Sequence, residues 1–255
     1  MMASSSGVGL TYHLTRLSIG LRKRGHDVTV LSNPNEQSGG LFEDLAKAGI
    51  RYFKSHYFDK MAIYDIHRSK KEIQKILESK GVDVIHAQGV TQTLHAYLAL
   101  TSLPPDERPS IVTSVHSIPG EEFLQKPKCT AMTGILNVCS DAILPVSDDT
   151  RERLVKLGVN PKKTRTIHNG IDLDFFDALV QRAQVNLEIP ESDKPSVFNV
   201  ANLLPVKGQE YYLMAAAEVL KTRPAVFYVV GSGPRRKYLE KLAHRLGIEK
   251  DVAFT

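Results

Sequence analysis

Residues 197–237 read VFNVANLLPVKGQEYYLMAAAEVLKTRPAVFYVVGSGPRRK. An apolar run gives way to a loop that ends in Lys207-Gly208. A helix-forming stretch follows, then a second apolar run, AVFYVV, and a Gly231-Ser232-Gly233 loop with Pro234 opening another helix. Strand, loop, helix, strand, loop, helix is the order of a βαβ unit. Strands separated by helices pair in parallel through right-handed crossovers. In such sheets ligands sit against the loops at the strand C-termini, which is where the Lys-Gly and Gly-Ser-Gly loops fall.

The same alternation runs upstream. Leu10, Leu14, Leu17 and Leu21 make a helical stripe closed by Gly25. Strands are expected at 27–32, 49–53, 82–87, 110–115, 141–146 and 164–169. Helices are expected at 41–48, 66–79, 91–101, roughly 129–139, and after Ser147, an N-cap followed by Asp148 and Asp149 in the first turn. The fold class is α/β. A Rossmann-like parallel-sheet domain covers 1–172, a looser linker with Pro190 and Pro195 covers 173–195, and 196–255 begins a second Rossmann-like domain. One feature is odd: only MMASS precedes the first helix, where the central strand of a doubly wound sheet belongs. Either a very short strand serves, or the chain lacks residues that a complete sheet centre wants. No internal repeat and no low-complexity tract is visible.

Composition is ordinary for a soluble globular protein, with 24% charged and 42% hydrophobic residues. No apolar run approaches the ~18 residues of a membrane span, and no signal-peptide pattern opens the chain. Cys129 and Cys139 lack metal-ligand spacing and read as packing residues, with a reduced, cytoplasmic compartment as the default. Net charge is +5, with clusters at 22–24, 70–71, 162–163 and 235–237. These read as solvated faces and helix C-termini, or as attraction to anionic headgroups at a membrane surface or to a phosphorylated ligand. No aromatic-interleaved basic stripe points to nucleic acid.

Five motifs carry chemistry. In SSGVGLTYH (5–13), Gly7 and Gly9 run straight into a helix, whose N-terminal N–H groups suit a diphosphate or a sugar; the plain alternative is a strand-to-helix turn. His116 follows an apolar strand at the rim where α/β active sites form; as a catalytic candidate it can donate to a sugar hydroxyl or phosphate or move a proton, and the plain alternative is a loop histidine held by backbone. His86 and His13 are weaker candidates of the same kind. Asn169-Gly170 is turn chemistry, with Asp172 placed to cap the next element. Lys207 offers a compact charge suited to phosphate, against the reading of a solvated loop lysine. Gly231 and Gly233 let backbone approach a base or ribose closely.

In this order, GLRKRGHDVTVLS, DVIHAQG, TSVHS, ILPVSDDTRERLVKLGV, IHNGIDLDFF, LLPVKG and VVGSGPRRKYLEKLAHRLGI resemble the retaining glycosyltransferases of family 4, with the GT-B fold. The resemblance covers nearly the whole chain and is most specific over 146–176 and at the two late loops. It implies two domains facing each other across a cleft, and transfer of a sugar from a UDP- or GDP-sugar to a sugar, lipid or small-molecule acceptor, with retention. It implies no cofactor and no metal. Gly7 and Gly9 would lie near the donor diphosphate and sugar, and His116 would face the transferred sugar. Asn202 and Lys207 would border the diphosphate, with Lys207 the main electrostatic catalyst, and Gly231 and Gly233 would back the nucleoside.

Two departures stand out. The family has Gly-Arg where this chain has Ala201-Asn202, so one phosphate-binding guanidinium is missing. The family's paired glutamates would fall downstream of Thr255. The expectation is a truncated enzyme of little activity by itself. A GT-B nucleotide-sugar epimerase and a non-catalytic or split-enzyme subunit stay open as alternatives. A dehydrogenase is disfavoured, because neither glycine loop has the full dinucleotide fingerprint.

Overall fold

Two units divide the chain, Met1–Arg182 and Ala183–Thr255. The structure is a computed structural model, and it describes residues 2–3, 8–34, 40–57, 61–79, 81–118, 127–182 and 193–255.

The first unit runs β1 (Met2–Ala3), α1 (Val8–Lys23), β2 (Thr29–Ser32), α2 (Leu41–Lys47), β3 (Arg51–Lys54), α3 (Ile63–Ser79), β4 (Val84–Gln88), α4 (Val90–Leu100), β5 (Ser110–Val115), α5 (Pro127–Cys139), β6 (Ala142–Pro145), α6 (Asp148–Lys156) and α7 (Leu173–Arg182). Its strands form a parallel sheet in the order β3-β2-β1-β4-β5-β6. Chain progression reverses between β1 and β4, which makes that junction the switch point where ligands of doubly wound sheets bind. The central strand is very short: Met2 and Ala3 pair with Leu31 and Ser32 on one side and with Ala87 and Gln88 on the other.

Helices cover both faces. Leu14 of α1 and Leu41 and Leu45 of α2 pack with Val28, Val30 and Ile50. On the other face Ile73 of α3 and Ala96, Ala99 and Leu100 of α4 pack with Leu31, Ile85 and Ile111. The leucine stripe of α1 is only partly its buried face, since Thr11, Thr15 and Ser18 are buried with Leu14. Buried hydroxyls elsewhere are linked: Thr93, Thr113 and Ser140 form a chain at 2.7 and 2.8 Å that ties α4 and the end of α5 to β5. Ser69 and His95 join α3 to α4. Cys129 and Cys139 are both buried.

Two expectations fail for identifiable reasons. Residues 164–169 are not a strand. Arg165 and Ile167 donate backbone hydrogen bonds to Ile143 and Pro145, but Pro145 has no N–H to return, so pairing stops at a single bridge, Ile143 to Thr164. Residues 173–182, read as the start of a loose linker, form α7. Asp172 caps it, its Oδ1 accepting from the Phe175 N–H at 3.1 Å.

The second unit runs β7 (Ser196–Val200), a 3₁₀ turn (Pro205–Lys207), α8 (Gln209–Leu220), β8 (Val226–Val230), α9 (Arg236–Arg245) and β9 (Val252–Phe254), with parallel order β7-β8-β9. Leu203, Leu213, Ala216, Phe227, Val229 and Leu239 make its core. The middle strand β8 is buried, whereas Val197, Phe198 and Val200 of β7 stay 39%, 46% and 74% exposed. Among the described residues no helix is long and apolar enough to cross a membrane.

Candidate functional site

The first unit gathers histidines at the switch point. His116 follows the last residue of β5, and its Nε2 lies 2.8 Å from Oε1 of Gln88, the last residue of β4. The ring of His13, from α1, meets the His116 ring edge-on with centroids 4.9 Å apart. One strand turn below, His86 Nε2 lies 2.8 Å from Ser114 Oγ. Burial pushes His86 and His116 each down to about 4, with neighbouring imidazole charge adding to the effect, and burial lowers His13 as well. All three are therefore neutral at pH 7. With Nε2–H donating to Gln88, His116 keeps Nδ1 as an acceptor.

Three buried polar atoms here have no hydrogen-bond partner among the described residues: His13 Nε2, Gln88 Nε2 and Ser32 Oγ. Ser32 and Gln88 flank the same residue of β1, Ala3. An orphaned buried polar atom is costly, so this cluster beside a switch point holds hydrogen-bonding groups that a polar ligand can satisfy. Sequence reading singled out His116, and His86 and His13 more weakly; the structure brings the three together. It missed Gln88 and Ser32, whose strand-end positions become meaningful only once the register is known. Gly7 lies outside the described residues. Gly9 lies in the first turn of α1, where an added Cβ would meet nothing within 4 Å. No steric demand therefore reserves that position for glycine.

In the second unit the loops after β7 and β8 are laced together. Leu203 N–H donates to Ser232 O at 2.8 Å, and Arg235 N–H donates to Leu203 O at 3.3 Å. Gly231 and Gly233 have φ of 139° and 156°, and a Cβ at either would sit 2.2 Å from Ala201 O or 2.6 Å from Leu203 O. Only glycine lets these two backbones approach so closely. Asn202 is exposed at its side chain and fixed by its carbonyl, which accepts from Nε2 of the fully buried Gln209 at 3.0 Å. Lys207 is exposed and ends the 3₁₀ turn; Gly208, at φ 65°, then caps α8. The structure thus groups Asn202, Lys207, Gly231 and Gly233 on one pair of loops.

Glu210, in the first turn of α8, would repel an anion there, but Arg235 Nη1 donates to both of its carboxylate oxygens at 2.9 and 2.8 Å. That hydrogen bond holds the Glu210 carboxyl below the usual carboxylate range. Other cationic side chains have internal roles too. Lys163 Nζ donates to Asn137 O and Ser140 O at the end of α5, and Arg236 bonds Glu240 and Phe254 O. Among the described residues no cluster of three His, Cys, Asp or Glu side chains could hold a metal ion.

A family model described as Glycosyltransferase Family 4 matches residues 8–175, and one described as Glycosyl transferases group 1 matches 182–255. The chain belongs to glycosyltransferase family 4. An uncharacterized glycosyltransferase of Methanocaldococcus jannaschii is 26% identical over 96% of this chain and 65% of its own length. A GDP-mannose-dependent α-(1-6)-phosphatidylinositol monomannoside mannosyltransferase of Mycolicibacterium smegmatis is 30% identical over 57% of this chain and 38% of its own length. The chain thus spans less than two-thirds of these curated relatives. Among solved structures, a glycosyltransferase from Rickettsia africae matches at TM-score 0.72 and 19% identity, covering 100% of this family 4 chain and 67% of that one. Anabaena HepE in complex with UDP-glucose matches at TM-score 0.73 and 18% identity, covering 100% and 68%. The fold of the family 4 chain is α/β and Rossmann-like, of the GT-B kind.

Proposed function

We propose that this family 4 chain belongs to an enzyme that moves a sugar from a nucleotide-sugar donor to an acceptor with retention of anomeric configuration. The observation that carries the reading is the laced pair of glycine loops in the second unit, with the Lys207 ammonium at its rim. A nucleoside diphosphate gains negative charge as it leaves. An exposed ammonium and the N–H groups at the start of α8 are suited to stabilising that charge. The Arg235–Glu210 contact supports this role, because it neutralises the carboxylate nearest that helix start. The nucleoside is assigned to the free side of the Gly231–Gly233 loop, since the space of the absent side chains is taken up by the Ala201 and Leu203 carbonyls.

In the first unit, neutral His116 supplies a hydrogen-bond acceptor for a sugar hydroxyl, and the unpartnered Gln88 Nε2 supplies a donor beside it. Charge stabilisation at the phosphate is assigned to Lys207, with no metal or cofactor. The donor is a UDP- or GDP-sugar: UDP-glucose accompanies one structural neighbour, and GDP-mannose stands in the name of one relative. The acceptor is a sugar, a lipid or a small molecule. The exposed basic residues Arg22, Lys23 and Arg24 at the end of α1 suit a cytoplasmic protein touching an anionic membrane surface.

A donor panel tests the reading. Residues 1–255 are incubated with UDP- and GDP-sugars and candidate acceptors, with binding followed by ligand-observed NMR and product configuration by its anomeric signal. The expected result is measurable nucleotide-sugar binding and slow turnover, with an α-linked product from an α-linked donor. An inverted product overturns retention. No binding of any nucleotide sugar overturns the assignment as a whole.

A further inference from the structure

Arg235 sits between the Gly231–Gly233 loop and α9, and Glu210 lies in the first turn of α8, shortly after Lys207. Their side chains bridge the two loops of the second unit. The backbone brings them together: the Arg235 N–H donates to Leu203 O, and the Leu203 N–H donates to Ser232 O. The bridge is partly shielded and still open to solvent, with side chains 19% and 24% exposed.

The grip of this arginine on its carboxylate is incomplete. Nη1 alone donates to both oxygens, at 2.9 and 2.8 Å. A guanidinium can instead present two nitrogens in parallel to a carboxylate or a phosphate, which is the stronger and more directional arrangement. Cζ of Arg235 also lies 4.3 Å from the centroid of the Tyr238 ring, a cation–π contact that does not depend on which anion the group bonds. The next residue, Arg236, is engaged by Glu240 and the Phe254 carbonyl.

We propose that Arg235 is a second diphosphate-binding cation beside Lys207, and that Glu210 is its resting counter-ion, displaced by the phosphate oxygens of the ligand. The inference rests on the reading of these loops as the nucleotide-sugar site. A diphosphate carries more negative charge than one carboxylate and can take both guanidinium nitrogens, so the exchange is favoured once the ligand arrives. The displaced Glu210 then faces the ligand as a like charge and limits its affinity. That suits a site which must let a nucleoside diphosphate go after each transfer. The two partners of one bridge therefore act on binding in opposite directions.

The test measures Kd at low salt for UDP or GDP, whichever binds residues 1–255, and for the matching nucleoside. The proteins are the unmodified chain, Glu210→Gln, Arg235→Gln and the double variant. Each variant breaks the bridge, so a bridge that only holds the loops in shape predicts the same direction of change in all three. The expected result is that Glu210→Gln binds the nucleoside diphosphate about threefold or more tightly than the unmodified chain, and Arg235→Gln about tenfold or more weakly. The double variant is expected to fall between the two single variants. The nucleoside, which has no phosphate, is expected to bind all four proteins alike. The proposal is overturned if Glu210→Gln binds no more tightly than the unmodified chain, if Arg235→Gln leaves Kd unchanged, or if the nucleoside follows the same order as its diphosphate. Those outcomes leave the loops as the nucleotide site. Absence of any UDP or GDP binding by the unmodified chain overturns that reading and this inference with it.

Discussion

A Cβ added to Gly231 would stand 2.2 Å from the carbonyl oxygen of Ala201. The two residues directly follow neighbouring strands, β8 and β7, and the Ala201 N–H donates to Val230 O at 3.0 Å. The contact is backbone against backbone, so no side chain can swing away to relieve it. Gly231→Ala is expected to destabilise the second unit by about 3 kcal/mol or more and to leave the first unit unchanged, as read by exchange protection in α8 and β8 against β4 and β5. Gly9→Ala is the contrasting case. It places a methyl in open space on a helix and is expected to be neutral or stabilising by up to about 1 kcal/mol. Equal losses from the two substitutions would contradict the steric argument.

The histidine cluster gives a pH dependence with a definite sign. His86 and His116 titrate at about 4 in the folded chain, against an ordinary value of 6.5. Between those values the unfolded chain binds more protons than the folded one, so stability rises with pH across that window. The contribution is complete above about pH 6.5 and is lost as pH falls towards 4. Tm is expected to be flat from pH 8 to 7 and to fall steadily from 6.5 to 4.5. His86→Asn should make that fall shallower, and an unchanged slope would remove His86 from the explanation.

The second unit should be the less stable part. β7 presents Val197, Phe198 and Val200 to solvent and has a sheet partner only in β8 among the described residues. An uncovered apolar edge opens easily. Native-state hydrogen exchange is expected to be at least about tenfold faster in β7 than in β5; equal protection would contradict this.

Much of the fold was legible because local signals and tertiary structure agree. Ser110–Val115 is an apolar run of strand length, and it is β5. Ser147 reads as a cap and accepts from the Thr150 N–H at 3.2 Å. The second unit's βαβ order follows from two apolar runs separated by one helix. The misses have physical causes. Pro190 and Pro195 drew the linker too far back and hid α7, although Asp172 was recognisable as a cap. Thr164 to Asn169 has strand-like composition, but pairing depends on the missing N–H of Pro145 in another segment. Gln88 and Ser32 gained meaning only from the register around β1. Lys163 read as part of a charged cluster, and its service to two carbonyls at the end of α5 needed coordinates.

Lys207 carries the electrostatic part of the proposed function. In a longer polypeptide with turnover, Lys207→Ala is expected to lower kcat by at least about a hundredfold while leaving Tm within about 2 °C, since the side chain is exposed. Unchanged turnover would remove it from the reaction.

The central claim, that the loops after β7 and β8 hold a nucleoside diphosphate, is tested most directly by NMR titration of UDP and GDP into residues 1–255. The expected result is amide shifts confined to residues 201–208 and 231–236, with affinity reduced about tenfold in Lys207→Ala. Shifts elsewhere with these loops silent, or an affinity indifferent to Lys207, would contradict it.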